Sequence, residues 1–334
     1  MRHKVGVKAL GLLSGGLDST LAVKLMLEQG VEVETLNFVT PFCFCGTKKC
    51  DATSVASRFQ VKLKRIFLGD EYLKMLRKPK HGYGKNVNPC IDCRILMLKK
   101  TKRYAKKIGA DFIFTGEVLD ERPMSQHRRA LEIIEREAGL EGKILRPLSA
   151  KYLPETGAEK KGLIERERLL DIRGRSRKRQ IELAKGFGLS DYPCPAGGCL
   201  LTDREFAAKM RDLFKHKRAV RLKDTSLLKV GRHFRFGSNK IIVGRNEIEN
   251  KLLLSLKAPD DYYFEVPDCG SPTTILQGRK SSEAIRIAAS LTARYSDAKG
   301  ENVQVAYGTG RSKKTLTVTP LLNEYVDKLR VAWR

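Results

Sequence analysis

The chain has 334 residues, 41% of them hydrophobic, and no apolar run long enough to cross a bilayer, which excludes a helical membrane protein. Its 65 Lys and Arg against 38 Asp and Glu leave a net charge of +27. Self-repulsion of that size disfavours the compact state unless an anionic partner offsets it, and nucleic acid is the first candidate.

The opening Met1-Arg2-His3-Lys4 has no apolar signal core behind it, so the chain reads as cytoplasmic. An apolar run, Ala9 to Leu13, predicts a buried strand. It ends at Ser14-Gly15-Gly16-Leu17-Asp18-Ser19, and an amphipathic stretch, Leu17 to Gln29, predicts a helix that stops at Gly30. Strand, tight turn, helix is the arrangement that aims backbone N–H groups and a helix N-terminus at a phosphate. The glycines allow close approach, the two serines supply hydroxyls, and Asp18 can hold a metal ion or orient a water. No Gly-Lys-Ser/Thr follows, so this is not a Walker loop. The spelling resembles the PP-loop of the N-type ATP pyrophosphatases, which split ATP to AMP and pyrophosphate.

Val31 to Phe38 predicts the second strand, with Asn37 and Phe38 at its carboxyl end, where a nucleotide base sits in a doubly wound sheet. Cys43, Cys45 and Cys50 follow, readable as a metal site of their own or as buried packing beside the nucleotide pocket. Eight cysteines in an intracellular chain argue for metal or catalysis rather than disulfides. A helix over 51–59 and a strand over 62–68 lead to a polar loop. Then comes Asn88-Pro89-Cys90-Ile91-Asp92-Cys93 at the start of a strongly basic helix. Cys-x-x-Cys at a helix N-terminus favours thiolate, and the spacing suits one iron–sulfur cluster, one zinc or a redox disulfide.

Ala110 to Thr115 predicts a strand ended by Gly116-Glu117, and Val118 to Gln126 a loop from which Arg122 and Gln126 can reach a substrate. A helix (127–138) and a strand (143–148) follow. Strands alternating with helices predict an α/β fold, a doubly wound, mostly parallel sheet. Helical segments broken at Gly174 precede a Pro/Gly-rich loop that carries Cys194 and Cys199. Basic residues cluster at 94–107, 173–179 and 204–223, stripes that can follow a phosphate backbone. Beyond 226, strands at Lys240, Leu252, Tyr262, Thr273, Val303 and Thr315 around one helix, Ser281 to Tyr295, predict a smaller α+β domain. Its Arg232, Arg235, Lys240 and Arg245 are read as exposed phosphate contacts. The expected division is 1–202 catalytic, 203–226 a basic helical linker, and 227–334 the second domain.

Taken together, the first stretch resembles the tRNA sulfurtransferases that make 4-thiouridine and 2-thiouridine. Asn88-Pro89-x-x-x-Cys93 resembles the 2-thiouridylases. Thr115-Gly116-Glu117 with Ser125-Gln126, and Leu145-Arg146-Pro147-Leu148, resemble the 4-thiouridine synthases. Gly197-Gly198-Cys199 resembles the segment that carries the second catalytic cysteine. Residues from Val230 through Tyr295 resemble the NFACT RNA-binding module, although Tyr263, Glu265 and Pro272 replace side chains usual in that family. No rhodanese domain and no N-terminal tRNA-binding domain of the synthase type is seen.

The resemblance implies ATP, Mg²⁺ and a [4Fe–4S] cluster as cofactors. The nucleotide would be bound by Ser14, Gly15, Gly16, Asp18, Ser19, Asn37, Phe38, Gly116 and Gln126. The cluster would sit on Cys90, Cys93 and Cys199, with Cys194 the alternative third ligand, and Asp18, Cys90, Cys93 and Cys199 would be catalytic. The implied partners are tRNA or another structured RNA and a sulfur donor, either sulfide or a cysteine desulfurase. The oligomeric state stays open, a homodimer being compatible. The expected reaction is adenylation of a uridine carbonyl and displacement by sulfur, at the 4-position in preference to the 2-position. A persulfide on Cys199, resolved by Cys90 or Cys93, is the alternative to a cluster. Other readings of the chain are an RNA-binding protein with a regulatory ATP site and a PP-loop ligase, which needs no cysteine triad.

Overall fold

A computed structural model describes residues 6–43, 52–189, 199–310 and 313–332. The chain divides into two compact units, Met1–Thr202 and Asp203–Arg334. The first contains β1 (Lys8–Leu12), α1 (Leu17–Glu28), β2 (Glu32–Val39), α2 (Ala52–Arg58), β3 (Lys62–Phe67), α3 (Asp70–Arg77), α4 (Cys90–Ile108), β4 (Phe112–Thr115), α5 (Arg128–Ala138), β5 (Ile144–Leu145), α6 (Gly157–Lys160) and α7 (Lys178–Gly186). Its five strands run parallel in the order β3-β2-β1-β4-β5. Alternation along β1 sends Ala9 into one apolar layer with α1 and α7, and Leu10 and Leu12 into the other with α4 and α5. Gly11 lets the sheet close, since a Cβ there would fall 2.4 Å from the Phe114 ring. The strand order reverses between β1 and β4. Their carboxyl ends therefore flank the crevice where ligands bind in such sheets.

Two elements depart from the sequence reading. The strand expected over 143–148 shrinks to Ile144–Leu145, because Ser149 N–H turns back onto the Arg146 carbonyl. The helix α3, not foreseen, carries the fully buried Tyr72.

The second unit contains α8 (Arg204–His216), α9 (Leu222–Leu227), β6 (Arg232–Phe236), β7 (Asn239–Val243), α10 (Glu247–Leu256), β8 (Tyr262–Glu265), β9 (Thr274–Gln277), α11 (Ser282–Arg294), β10 (Val303–Gly308), β11 (Lys313–Val318) and α12 (Asn323–Leu329). Six antiparallel strands lie in the order β11-β10-β8-β9-β7-β6, covered by the alanine-rich face of α11. Ser281 caps α11 by accepting from Ala284 N–H. The strand expected at Leu252 is a helix instead. Asn246 caps α10 by accepting from Glu249 N–H, and of the apolar Leu252–Leu254 run only Leu253 is buried.

The four basic residues read as exposed phosphate contacts are not free. Lys240 is 7% exposed, and its Nζ lies 3.9 Å from Asp212. Arg235 grips both Asp212 oxygens, Arg245 pairs with Glu249, and Arg232 stacks 4.6 Å over the Tyr295 ring. All five residues of β7 are buried, with Ile241 and Val243 in one apolar cluster and Ile242 in another, so Lys240 is inside whichever face it takes. Among the described residues no helix is long and apolar enough to cross a membrane.

Candidate active site

The turn after β1 is bonded mostly to itself. Gly15 adopts a left-handed φ of 80°, which an L side chain would resist. Ser14 and Ser19 hydroxyls meet at 3.1 Å, and Ser19 Oγ donates to the Gly16 carbonyl at 2.9 Å. Asp18 opens α1. Gly116, at the end of β4, presses on this turn: a Cβ there would lie 2.5 Å from Ser19 N and 2.6 Å from the Asp18 carbonyl carbon. Asn37 is buried and donates to the Leu13 carbonyl at 2.8 Å, which ties the end of β2 to the loop, while Phe38 packs on the α4–α5 layer. Gln126 is buried with its Oε1 lacking a hydrogen-bond partner.

Three distant segments meet at the start of α4. Asn86 Nδ2 donates to the Thr202 carbonyl at 2.7 Å, and Val87 N–H to the Leu201 carbonyl at 3.2 Å. Leu200 N–H donates to the Phe42 carbonyl at 3.0 Å, and Cys43 bridges Cys199 backbone to backbone. Asp92 anchors the loop before α4 by accepting from the N–H groups of Lys80 and His81. The result is one pocket-like cluster of Cys43, Cys90, Cys93 and Cys199, with the Tyr72 hydroxyl hydrogen-bonded to Cys93. Of the two readings of Cys43, the structure puts it in this pocket. Cys45, Cys50 and Cys194 lie outside the described residues.

At Cys93 burial outweighs the pull toward thiolate expected near the helix N-terminus. Burial pushes the Cys93 thiol up to about 11, against the pull of Tyr72 and Arg94. Burial likewise pushes Cys199 up to about 12, and the neighbouring cysteines add to it.

The pocket is tied to the loop through a buried ionic network. Arg94, the residue after Cys93, lies 3.3 Å from Glu117 Oε1. Glu117 follows Gly116, and its Oε2 accepts from Arg146 Nε and Thr115 Oγ1, each at 3.1 Å. Arg146 also donates to Glu135. Burial works against the Glu117 charge, yet Arg94 and Arg146 hold its carboxyl below the usual range. Asp18 is different: burial and then Glu121 push its carboxyl from 3.8 to about 6, against Arg177 and Arg122.

Sequence reasoning missed Tyr72, Glu121 and Arg177. Arg177 hydrogen-bonds Glu121 across 56 residues, a pairing with no local signal.

The site is all soft sulfur on one side and a glycine turn with a helix N-terminus on the other. That donor set fits an iron–sulfur group on the thiols and a nucleotide phosphate on the turn. Among the described residues no group of three His, Cys, Asp or Glu side chains is arranged to hold a metal ion, so the thiols would have to draw in around one.

Two family models match the chain. Residues 5–164 match "Thiamine biosynthesis protein (ThiI)" and residues 231–330 match "NFACT protein RNA binding domain". A tRNA-specific 2-thiouridylase MnmA from Marinobacter nauticus is 31% identical over 124 residues, 34% of this chain and 32% of that protein. The enzyme of the same name from Sulfurimonas denitrificans is 33% identical over 118 residues, 34% of this chain and 35% of that protein. The chain thus spans about a third of the length of these relatives. Similar solved structures include a 4-thiouridine synthetase–RNA complex with bound ATP, with TM-score 0.38 and 24% identity, covering 56% of this chain and 42% of that one. Another is the U34-tRNA thiolase NcsA from Methanococcus maripaludis with its [4Fe–4S] cluster, with TM-score 0.35 and 16% identity, covering 68% and 71%. The chain joins a ThiI-type PP-loop domain to an NFACT-type RNA-binding domain.

Proposed function

We propose that this protein is an ATP-dependent RNA sulfurtransferase that adenylates a uridine carbonyl and replaces its oxygen with sulfur, at the 4-position. One observation carries the reading. A pocket of thiols from three distant segments is tied, through Arg94 and Glu117, to the glycine turn at the carboxyl ends of β1 and β4. A decayed ATP site or a ligase has no need of such a pocket.

Uracil does not release its oxygen as hydroxide, so the oxygen must first become a better leaving group. The uridine carbonyl oxygen attacks the α-phosphorus of ATP. The bond from that phosphorus to the bridging oxygen breaks, and pyrophosphate leaves with the electron pair. The Ser14–Ser19 turn and the first N–H groups of α1 hold the departing charge. Sulfur then attacks the activated carbon, the C–O bond breaks, and AMP leaves. Asp18 stands at the phosphate side of this turn. Mg²⁺, when bound with ATP, offsets phosphate charge. A [4Fe–4S] cluster, held by Cys90, Cys93 and Cys199, would supply an open iron at which sulfide is presented. Tyr72 and Arg94 hold the Cys93 turn in place.

RNA is the anionic partner that the charge of +27 calls for. The NFACT-type domain supports that reading, as does the exposed stripe of Lys99, Lys102, Arg103, Lys106 and Lys107 along α4. The matched curated relatives are named for the 2-position, which makes 2-thiouridine the second reading.

The test is mass spectrometry of nucleosides from tRNA incubated anaerobically with the protein, ATP and sulfide. We expect 4-thiouridine, lost at least about 100-fold in each of Cys90→Ser, Cys93→Ser and Cys199→Ser, the scale of a lost catalytic group. Modification that survives in all three variants would sink the reading. Activity in metal-free protein supplied with a cysteine desulfurase and cysteine, which deliver sulfur already at the persulfide level, would replace the cluster with a persulfide on Cys199, whose disulfide Cys90 or Cys93 resolves.

A further inference from the structure

Cys43 and Cys199 face each other across an antiparallel backbone pairing of two distant segments. Leu200 N–H donates to the Phe42 carbonyl at 3.0 Å, beside the pair, while Cys43 N–H turns back to the Thr40 carbonyl at 3.2 Å. The two cysteines therefore occupy the register in which facing residues exchange no hydrogen bond. In that register the Cα atoms lie about 4.5 Å apart and the side chains come closest. A disulfide takes a Cα separation of about 4.4–6.8 Å. The Cys43 sulfur is also fixed on its own side. Thr40 N–H donates to it at 3.3 Å, and the Thr40 hydroxyl meets it at 3.1 Å. That hydroxyl oxygen accepts from Phe42 N–H at 3.2 Å, which leaves its hydrogen for the sulfur. From there Cys43 stands close enough to Cys199 to bear on its charge. The remaining two cysteines are placed differently: Cys90 and Cys93 sit one turn apart on α4, and Cys93 is engaged by Tyr72.

We propose that Cys43 and Cys199 are a redox-modification site, which closes a reversible disulfide by exchange with a small-molecule disulfide of the glutathione class. The Cys43 thiolate attacks one sulfur of that molecule, the S–S bond breaks, and one small thiolate leaves. The Cys199 thiolate then attacks the Cys43 sulfur of the mixed disulfide, and the second small thiolate leaves. The two protons given up by the cysteines end on the two released thiols. Two protein thiols are oxidised to one disulfide, and one small disulfide is reduced to two thiols. Both cysteines are half-buried, within reach of a molecule of that size. Closure takes Cys199 out of service whichever sulfur chemistry it serves: a sulfur in a disulfide is no thiolate ligand for iron and accepts no further sulfur as a persulfide. Excess small thiol reverses the exchange and returns Cys199 to the pocket. This consequence rests on the sulfurtransferase reading above, whereas the cysteine pair does not.

The test is made on the full chain, before any iron or sulfide is added. The protein is equilibrated in mixtures of glutathione and its disulfide, alkylated, and mapped by mass spectrometry of unreduced peptides. We expect a peptide pair joined through Cys43 and Cys199 and lighter by two hydrogens. Alkylation of Cys199 should fall at least about tenfold between the most reducing and the most oxidising mixture, and return when reduced glutathione is restored. The joined pair should be absent in Cys43→Ser and unchanged in Cys269→Ser, whose cysteine is exposed in the second unit. Cys199 joined to Cys90 or Cys93, blocked by glutathione alone, or still alkylated in the most oxidising mixture overturns the proposal. If Cys43→Ser unfolds, the wild-type map decides alone. Neither ATP nor RNA enters this experiment, so a missing pair leaves the sulfurtransferase reading standing. Absent thiouridine with the pair formed removes that reading and leaves the pair.

Discussion

In the first unit Glu117 is buried between Arg94 and Arg146, and Glu135 takes the other side of Arg146. In the second, Asp212 faces Arg235 and Lys240, with Lys209 adding positive charge behind them. The first network matches two acids to two bases, and both Glu117 and Arg146 are held firmly in their charged forms. The second has more bases than acids. Burial pushes Lys240 from 10.5 to about 8 and His233 well below 6.5, and neighbouring cations add to both shifts. Buried charge survives where it is matched and is surrendered where it is not. The matched network joins the cysteine turn to the PP-loop, where precise placement of reacting groups matters most.

The largest expected effect breaks the matched side. Glu117→Gln keeps the shape and removes the charge, leaving Arg94 and Arg146 without their shared partner. Removing one member of a buried pair costs about 3–5 kcal/mol. Urea unfolding should show a loss of that order, together with lost thiolation. A loss under about 1 kcal/mol would mean that solvent reaches the network, and the contrast would fall.

The unmatched side should behave in the opposite way. The unfolded chain protonates Lys240 at its ordinary 10.5, whereas the folded chain does so only near 8. The native state therefore bears a cost that is absent above pH 10.5 and complete below about pH 8. Its size is on the order of 3 kcal/mol. Lys240→Met should raise the melting temperature at pH 7 and leave it unchanged near pH 10.5, with Asp212 still held by Arg235. Destabilisation at pH 7 would show that Lys240 is a needed partner of Asp212.

The glycine turn was legible because all six of its residues are adjacent and sit between a strand and a helix. The parallel order of the first sheet followed from alternation of strands and helices. The cysteines were legible as types, but what brings Cys43 to Cys199 is backbone pairing between segments more than 150 residues apart. Burial was the main blind spot. It reversed the expected thiol shift at Cys93, drew Lys240 inward, and hid Tyr72 in a helix that carries no motif. Leu252 misled because an apolar triplet fits a strand or a helix equally, and the Asn246 cap decided between them. Glu121 and Arg177 are charged residues in polar stretches, and only the fold makes them partners.

Arg94 offers the finest cut within the matched network. Its side chain is partly exposed, and Glu117 keeps Arg146 and Thr115 when it is lost. Arg94→Met should therefore cost only about 1 kcal/mol, because solvent screens the missing pair. Its larger consequence is positional. Arg94 is the residue after Cys93, so its loss frees the cysteine turn while leaving the packing of Gly116 on the loop untouched. We expect unchanged ATP affinity by equilibrium binding and a fall in thiolation of about tenfold or more, since small misplacements of reacting groups cost up to about 100-fold. Equal losses in nucleotide affinity and thiolation would mean that the network supports the fold as a whole and does not separately register the thiol pocket against the nucleotide turn.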